Sequence, residues 1–161
     1  MIIENSQNLN INISIKKKNY DYLVNSESLK NTLTEIKDLF KENYRDQNII
    51  HMIVNNYLIN GKRYFFFEDN IKSDDLCLEV NFISISKNLE QIFDKIFEKY
   101  QIKVEQFFDL NYLENQLKDE KLELPEIVQK IRNGYNVNEI TLIPKNIKNK
   151  GFFENFFQFF S

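Results

Sequence analysis

Residues 49–67 read IIHMIVNNYLINGKRYFFF, a run rich in β-branched and aromatic residues that Asn60-Gly61 divides in two. Asn-Gly is the strongest short-range signal for a two-residue hairpin, because both central residues of a type I′ turn need φ > 0. An acidic loop, Glu68 to Asp75, follows. In Leu76 to Ser84, apolar residues at 76, 78, 80 and 82 alternate with Cys77, Glu79 and Asn81, the period of a half-buried strand. Leu89, Ile92, Phe93, Ile96, Phe97 and Tyr100 then recur at helical spacing behind Ser86, a candidate N-cap. Ile102 to Phe107 alternates again and reads as a closing strand. The centre of the chain is therefore hairpin, strand, helix, strand, with Ile92 and Ile96 expected in its core.

Upstream, Leu9 to Ile15 alternates strictly and reads as a strand with one buried face, ended by a solvated turn at Lys16-Lys17-Lys18-Asn19. Ser26 to Tyr44 reads as a helix. Its Leu29, Leu33, Ile36, Phe40 and Tyr44 share one face, Ser26 is placed to cap the first turn, and Glu27 suits the positive end of the dipole. The expected fold is α+β: a βαββαβ-like sandwich with two helices packed on one face of a mainly antiparallel sheet. A ferredoxin-like split βαβ unit has nearly the same element order and stands as the alternative.

Ile50-His51-Met52-Ile53, Tyr57-Leu58-Ile59-Asn60-Gly61, Leu76-x-Leu-x-Val80 and Leu89-x-x-Ile92-x-x-x-Ile96 also follow one another in a telling order. Together with Tyr100-Gln101-Ile102-Lys103-Val104 they resemble the small inserted SHS2-type subdomain of FtsA, the bacterial actin-like cell-division protein. The resemblance covers roughly residues 20–108, and its motifs belong to the fold and not to a catalytic site. Two positions depart from the pattern. Val54 stands where a proline is expected, and residues 62–75 contain neither the glycine nor the proline of the family's connection. The resemblance implies a non-enzymatic interaction module working in or near the division machinery, through division proteins or self-association. Tyr57, Asn60, Gly61 and Tyr64 would lie on its contact surface.

Beyond Phe108 the character changes. Residues 1–108 form the expected SHS2-like domain and residues 109–144 a helical extension with a short strand; residues 145–161 are a linker and amphipathic tail. Asp109 to Glu120 reads as helical through Leu110, Leu113 and Leu117. Pro125 fits a first helical position, Ile127, Val128 and Ile131 form a stripe, and Gly134 fits the stop. Asn138 to Pro144 reads as a short edge strand. Phe152, Phe153, Phe156, Phe157, Phe159 and Phe160 fall on one side of a helical wheel, with Glu154, Asn155 and Gln158 on the other. FtsA proteins also end in a linker and a short amphipathic membrane-targeting helix. This tail, with Lys145, Lys148 and Lys150, is accordingly expected to hold a membrane surface or a partner; the competing reading is an unrelated ferredoxin-like binding or dimerisation domain whose tail packs on its own core.

The chain has 161 residues, enough for a real core, and 42% of them are hydrophobic, which argues against wholesale disorder. It lacks alanine and tryptophan and abounds in Asn, Ile, Lys and Phe, a bias read as that of an AT-rich genome. A net charge of −3 speaks against a broad phosphate-binding surface, so no nucleic acid is expected. The aromatic run Tyr64 to Phe67 suggests base stacking, but the strand at 76–84 lacks the glycine and aromatic spacing of an RNA-recognition module. One cysteine, Cys77, forms no internal disulfide and suits a reducing compartment. With no 18-residue apolar run and no signal-like start, the expectation is a cytoplasmic protein, peripheral at the inner face of the membrane.

His51 is the only histidine and alternates within a strand, the setting of a structural histidine. Asp69, Asp74 and Asp75 lack the spaced ligands of a calcium loop and read as a solvated turn. Gly61, Gly134 and Gly151 stand alone, so neither a P-loop nor a dinucleotide fingerprint is present. No catalytic residue, cofactor site or metal site is expected.

Overall fold

The computed structural model describes residues 1–4, 8–18, 23–116 and 122–140. In chain order its elements are β1 (Ile2–Ile3), β2 (Leu9–Lys18), β3 (Leu23–Val24), α1 (Ser26–Asn43), β4 (Gln47–Ile59), β5 (Lys62–Tyr64), β6 (Ile71–Lys72), β7 (Asp75–Ser86), α2 (Lys87–Glu98), β8 (Phe108–Asp109), α3 (Leu110–Gln116) and α4 (Leu124–Arg132). The main sheet is antiparallel throughout, in the order β2-β7-β4-β5. Two small pairs accompany it, β1 with β8 in parallel and β3 with β6 in antiparallel. The described residues are mixed α and β with a mainly antiparallel sheet and four helices, an α+β arrangement.

The hairpin forms where Asn-Gly places it. Ile59 pairs with Lys62 across Asn60 and Gly61, whose φ values are 52° and 72°. Asn60 also ties the turn to the following segment. Its backbone N–H donates to Asp75 Oδ1 (2.9 Å), its Nδ2 donates to the Lys72 carbonyl (3.1 Å), and its Oδ1 accepts from the Ser73 hydroxyl (2.9 Å). Asn60→Val is therefore expected to destabilise by about 1–3 kcal/mol, the range for a strained left-handed residue. Asn60→Gly should lose less, since glycine adopts that φ freely and only the side-chain bonds go. Urea midpoints that fail to separate the two variants would show that the turn carries no strain.

One face of the sheet packs on α1. Leu29, Leu33, Ile36 and Phe40 meet Met52, Val54, Tyr57 and Ile59 of β4 and Leu76, Leu78, Val80 and Phe82 of β7. Ile11, Ile13 and Ile15 of β2 close this layer from the side. Two bulges in β4, between Ile49 and His51 and between Val54 and Asn56, reset its alternation. Each inserts one residue, so Ile49, Met52, Val54, Tyr57 and Ile59 all reach the α1 side although their numbering mixes odd and even. Asn25, not Ser26, caps α1, its Oδ1 accepting from the Ser28 N–H (2.9 Å). The Ser26 N–H instead donates to Asp69 Oδ1 (2.8 Å), so the acidic loop supplies a charge at the positive end of α1.

The expected placement of both helices on one face is corrected. α2 buries no residue completely, and Ile92 and Ile96 are 44% and 45% exposed. The opposite face is covered instead by the C-terminal extension: Ile53 and Ile83 pack on Phe108, Tyr112, Leu113, Ile127 and Ile131. Beside this cluster Ile85, Ile3 and Phe107 form a smaller one against which Leu89 and Phe93 rest. The reason lies in β7, whose last turns of sequence are apolar on both sides; Phe82, Ile83, Ser84 and Ile85 are all buried. A strand buried on both faces needs two covering layers.

The closing strand at Ile102 to Phe107 is also corrected. After α2 the chain turns at Gln101 (φ 58°), Ile102 is 53% exposed, and only Phe108–Asp109 pairs, in parallel with β1. Alternation alone makes no strand without an edge to receive it, and the fourth strand of a ferredoxin-like sheet is absent among the described residues. The Lys16 to Lys18 turn is corrected in the other sense: β2 continues through Lys18, with Lys16 paired to Asp75 (2.7 Å) and Lys17 to Glu35. Lysines on an edge strand discourage pairing with other chains. Ser86 sits at the N-cap of α2 but makes no side-chain capping bond, and β5 ends at Tyr64, before the three phenylalanines.

The extension follows its reading closely. α3 buries Leu113, and α4 starts with Pro125 in its first turn and a reciprocal capping box between Glu123 and Glu126. Gly134 takes φ 78° after the helix. Of the edge strand expected at Asn138 to Pro144, the part up to Ile140 lies along β4: Val54 N–H donates to the Asn138 carbonyl and Ile140 N–H to that of Met52. Thr141 to Pro144, like Leu117 and the whole segment from Lys145 to Ser161, fall outside the described residues.

Candidate functional site

The most tightly built polar cluster surrounds His51, which β4 turns away from α1 through its first bulge. The ring is 1% exposed and lies between Tyr112 and Phe108, with centroids 4.2 and 5.9 Å away. Its Nε2 accepts the Asp109 backbone N–H (3.1 Å), which fixes the proton of the neutral ring on Nδ1, 2.7 Å from Glu139 Oε1. The other Glu139 oxygen accepts from the Tyr112 hydroxyl (2.5 Å), which in turn accepts from Asn136 Nδ2 (3.1 Å). Burial first, and then the Glu139 carboxylate beside it, pushes the Tyr112 hydroxyl far above its usual range. Asp109 Oδ1 accepts the Tyr112 N–H (2.8 Å) and its Oδ2 the Asn8 amide (2.7 Å).

Both ring nitrogens of His51 are thus committed to protein partners, and no face of the ring opens to a substrate. The cluster is a clamp joining β4, β8, α3 and the 136–139 segment, in keeping with a structural histidine. Sequence reading found His51 but not Glu139, which lies 88 residues away and carries no motif.

The expected contact surface on the hairpin is redistributed. Tyr57 is fully buried in the α1 layer, 5.9 Å from the Phe67 ring, and burial drives its hydroxyl pKa far upward. It is core, not surface. Tyr64 is half-buried against the same cluster, while Asn60 and Gly61 are exposed at the tip. Phe65 and Phe66 are the exposed aromatics nearest the tip. Asp69 and Asp75 spend their carboxylates on Ser26, Asn60 and Lys16. Cys77 is half-buried, and burial raises its thiol pKa, the setting of an inert thiol. The phenylalanines 152, 153, 156, 157, 159 and 160, with Lys145, Lys148 and Lys150, lie outside the described residues.

What the structure adds is the open side of α2. Ile92, Ile96 and Tyr100 follow at four-residue steps and Ile102 comes just after, with exposures from 44% to 72%. Leu89 and Phe93 rest on the Ile3, Ile85 and Phe107 cluster and hold the helix in place. Lys95 and Lys99 flank Ile92 on the helical wheel and, like Lys103 beyond the helix, are exposed. Isolated exposed isoleucines are ordinary, but four apolar residues aligned with three lysines form a patch. No helix among the described residues is long and apolar enough to cross a membrane.

No protein-family model matches the chain, and no curated protein matches its sequence. Fold and surface together define an α+β domain whose sheet is covered on both faces, with a buried polar clamp and an amphipathic helix left half-covered.

Proposed function

We propose that the protein is a non-enzymatic interaction module that attaches peripherally to an anionic membrane surface through the open side of α2. The observation that carries this reading is the Ile92, Ile96, Tyr100 and Ile102 stripe flanked by Lys95, Lys99 and Lys103. An interfacial helix presents this combination, apolar residues for the acyl boundary and lysines for the headgroups. Full burial of such a side chain is worth about 1.5–3 kcal/mol, and roughly half of each is already covered. Four residues then supply about 3–6 kcal/mol, and three lysines add on the order of 1 kcal/mol each near an anionic surface. α2 is already folded, so no ordering cost offsets this gain. The result is a weak, reversible attachment, strengthened by the phenylalanine-rich tail or by self-association.

The resemblance to the FtsA inserted subdomain supports placing that attachment in the division machinery, at the inner face of the cytoplasmic membrane. Its helix, hairpin, strand, helix order is the order of α1, β4-β5, β7 and α2. The closing strand of that pattern does not form at residues 102–107.

Ile92→Asp combined with Ile96→Asp is expected to abolish co-sedimentation with anionic vesicles while shifting the melting temperature little, because exposed positions tolerate such changes within about 0.5–1 kcal/mol. This replaces the 2–5 kcal/mol that core burial would have implied for these residues. A chain ending at Lys150 should bind more weakly than the full chain but still depend on α2. Attachment unchanged in the double variant, or absent in the wild type, overturns the reading.

A further inference from the structure

A second surface lies at the other end of α2, where the C-terminus of α1, the first residues of β4 and the start of α2 enclose a groove of about 400 Å³. Four cationic side chains line it, Lys37, Lys41, Arg45 and Lys87, against one carboxylate, Glu90, which Asn48 already engages. Four positive charges less one negative leave a net +3 at this spot, in a chain whose total is −3. Lys16 and Lys17, which form ion pairs, lie away from this groove.

These charges are held together, not merely near one another. Lys37 and Lys41 are one helical turn apart, an arrangement in which like charges repel. Lys87 Nζ donates to the Arg45 carbonyl (2.6 Å), and Arg45 Nε donates to that of Glu42 (3.3 Å), which fixes the far wall. Complementing the α1 dipole accounts for Lys41 in the last turn, but not for Lys37 a turn earlier or Lys87 on another helix. Burial, and then Lys41, depress the Lys37 pKa. Cations that repel one another around a cavity, one of them partly desolvated, are stabilised by an anion that fills it.

We propose that this groove is a binding site for a soluble anion carrying at least two linked phosphates. A diphosphate brings about the charge that the groove lacks, and the volume suits a ligand no larger than a small nucleotide. Side-chain cations take the place of the glycine-rich loop that the sequence does not contain. The site is separate from the membrane-facing stripe. At 100° per residue, Lys87 and Glu90 fall on the far side of α2 from Ile92 and Ile96.

The test is titration calorimetry of the full chain with inorganic pyrophosphate, moving from low salt (about 50 mM) to about 300 mM. Saturable binding is expected, weakening roughly tenfold across that range as counterions screen the charges. Lys37→Gln combined with Lys41→Gln should lower affinity at least about tenfold. Lys37→Arg with Lys41→Arg should retain binding, and so should Lys62→Gln with Arg63→Gln at the hairpin tip. No saturable binding, equal affinity in the glutamine variant, or an equal loss in the hairpin control each overturns the proposal. Vesicles of anionic phospholipid separate the two sources of phosphate. The glutamine variant should sediment with them as wild type does. If it loses vesicles while wild type ignores pyrophosphate, the phosphate is a lipid headgroup and the soluble ligand is ruled out.

Discussion

Phe40→Ala is expected to destabilise the domain by about 3–5 kcal/mol, the range for truncating a buried aromatic. Phe40 is fully buried, stacks on Phe82 at 4.7 Å and tilts against Tyr44 at 5.0 Å. It therefore joins α1 to the central strand β7. Domains of this size hold only about 5–15 kcal/mol in total, so the variant should be partly unfolded at moderate temperature. Urea denaturation measures the loss through the midpoint at constant slope. A shift below about 1 kcal/mol would mean that α1 is not packed on β7 as described.

His51→Leu is expected to be nearly as costly, for a different reason. Leucine fills much of the space but leaves the buried Asp109 N–H and the Glu139 carboxylate without their partner. Each group so orphaned costs about 1–3 kcal/mol, so the pair should cost about 2–6 kcal/mol. Glu139→Gln should lose much less, since an amide oxygen still accepts the Nδ1 proton. The location of the effect distinguishes it from general core damage. Amide exchange should accelerate first in residues 108–116 and 136–140, while α1 keeps its protection. Uniform acceleration across the whole chain would instead make the two layers one cooperative unit and the clamp redundant.

Both variants bear on what could be read from residues alone. The α1 face was legible because Leu29, Leu33, Ile36 and Phe40 step at helical spacing and meet a single continuous layer. The same pattern in α2 was equally clear, yet Ile92 and Ile96 face outward. Periodicity reports that a helix has an apolar side; it does not report whether anything covers it. Ile102 to Phe107 teaches the parallel lesson for strands, since alternation was present and a receiving edge was not. The functional surfaces followed suit. The hairpin tip was visible in Asn60-Gly61, but Tyr57 beside it is core because a bulge rotates it inward. Neither the α2 stripe nor the cationic groove has a motif, and the groove joins residues from 37 to 90.

By itself, then, the sequence determined what short-range physics controls: the turn at Asn60-Gly61, the order and approximate centres of the long strands and helices, the Pro125 start and Gly134 stop of α4, and the α+β class. Steric φ preferences, capping and local periodicity act within a few residues, so a few residues reveal them. Only the tertiary structure decided which apolar faces are covered, that residues 107–131 form a second layer, and that Glu139 is the partner of His51. Those outcomes rest on contacts between residues tens of positions apart. Each is set by competition among surfaces for burial, which no local pattern encodes.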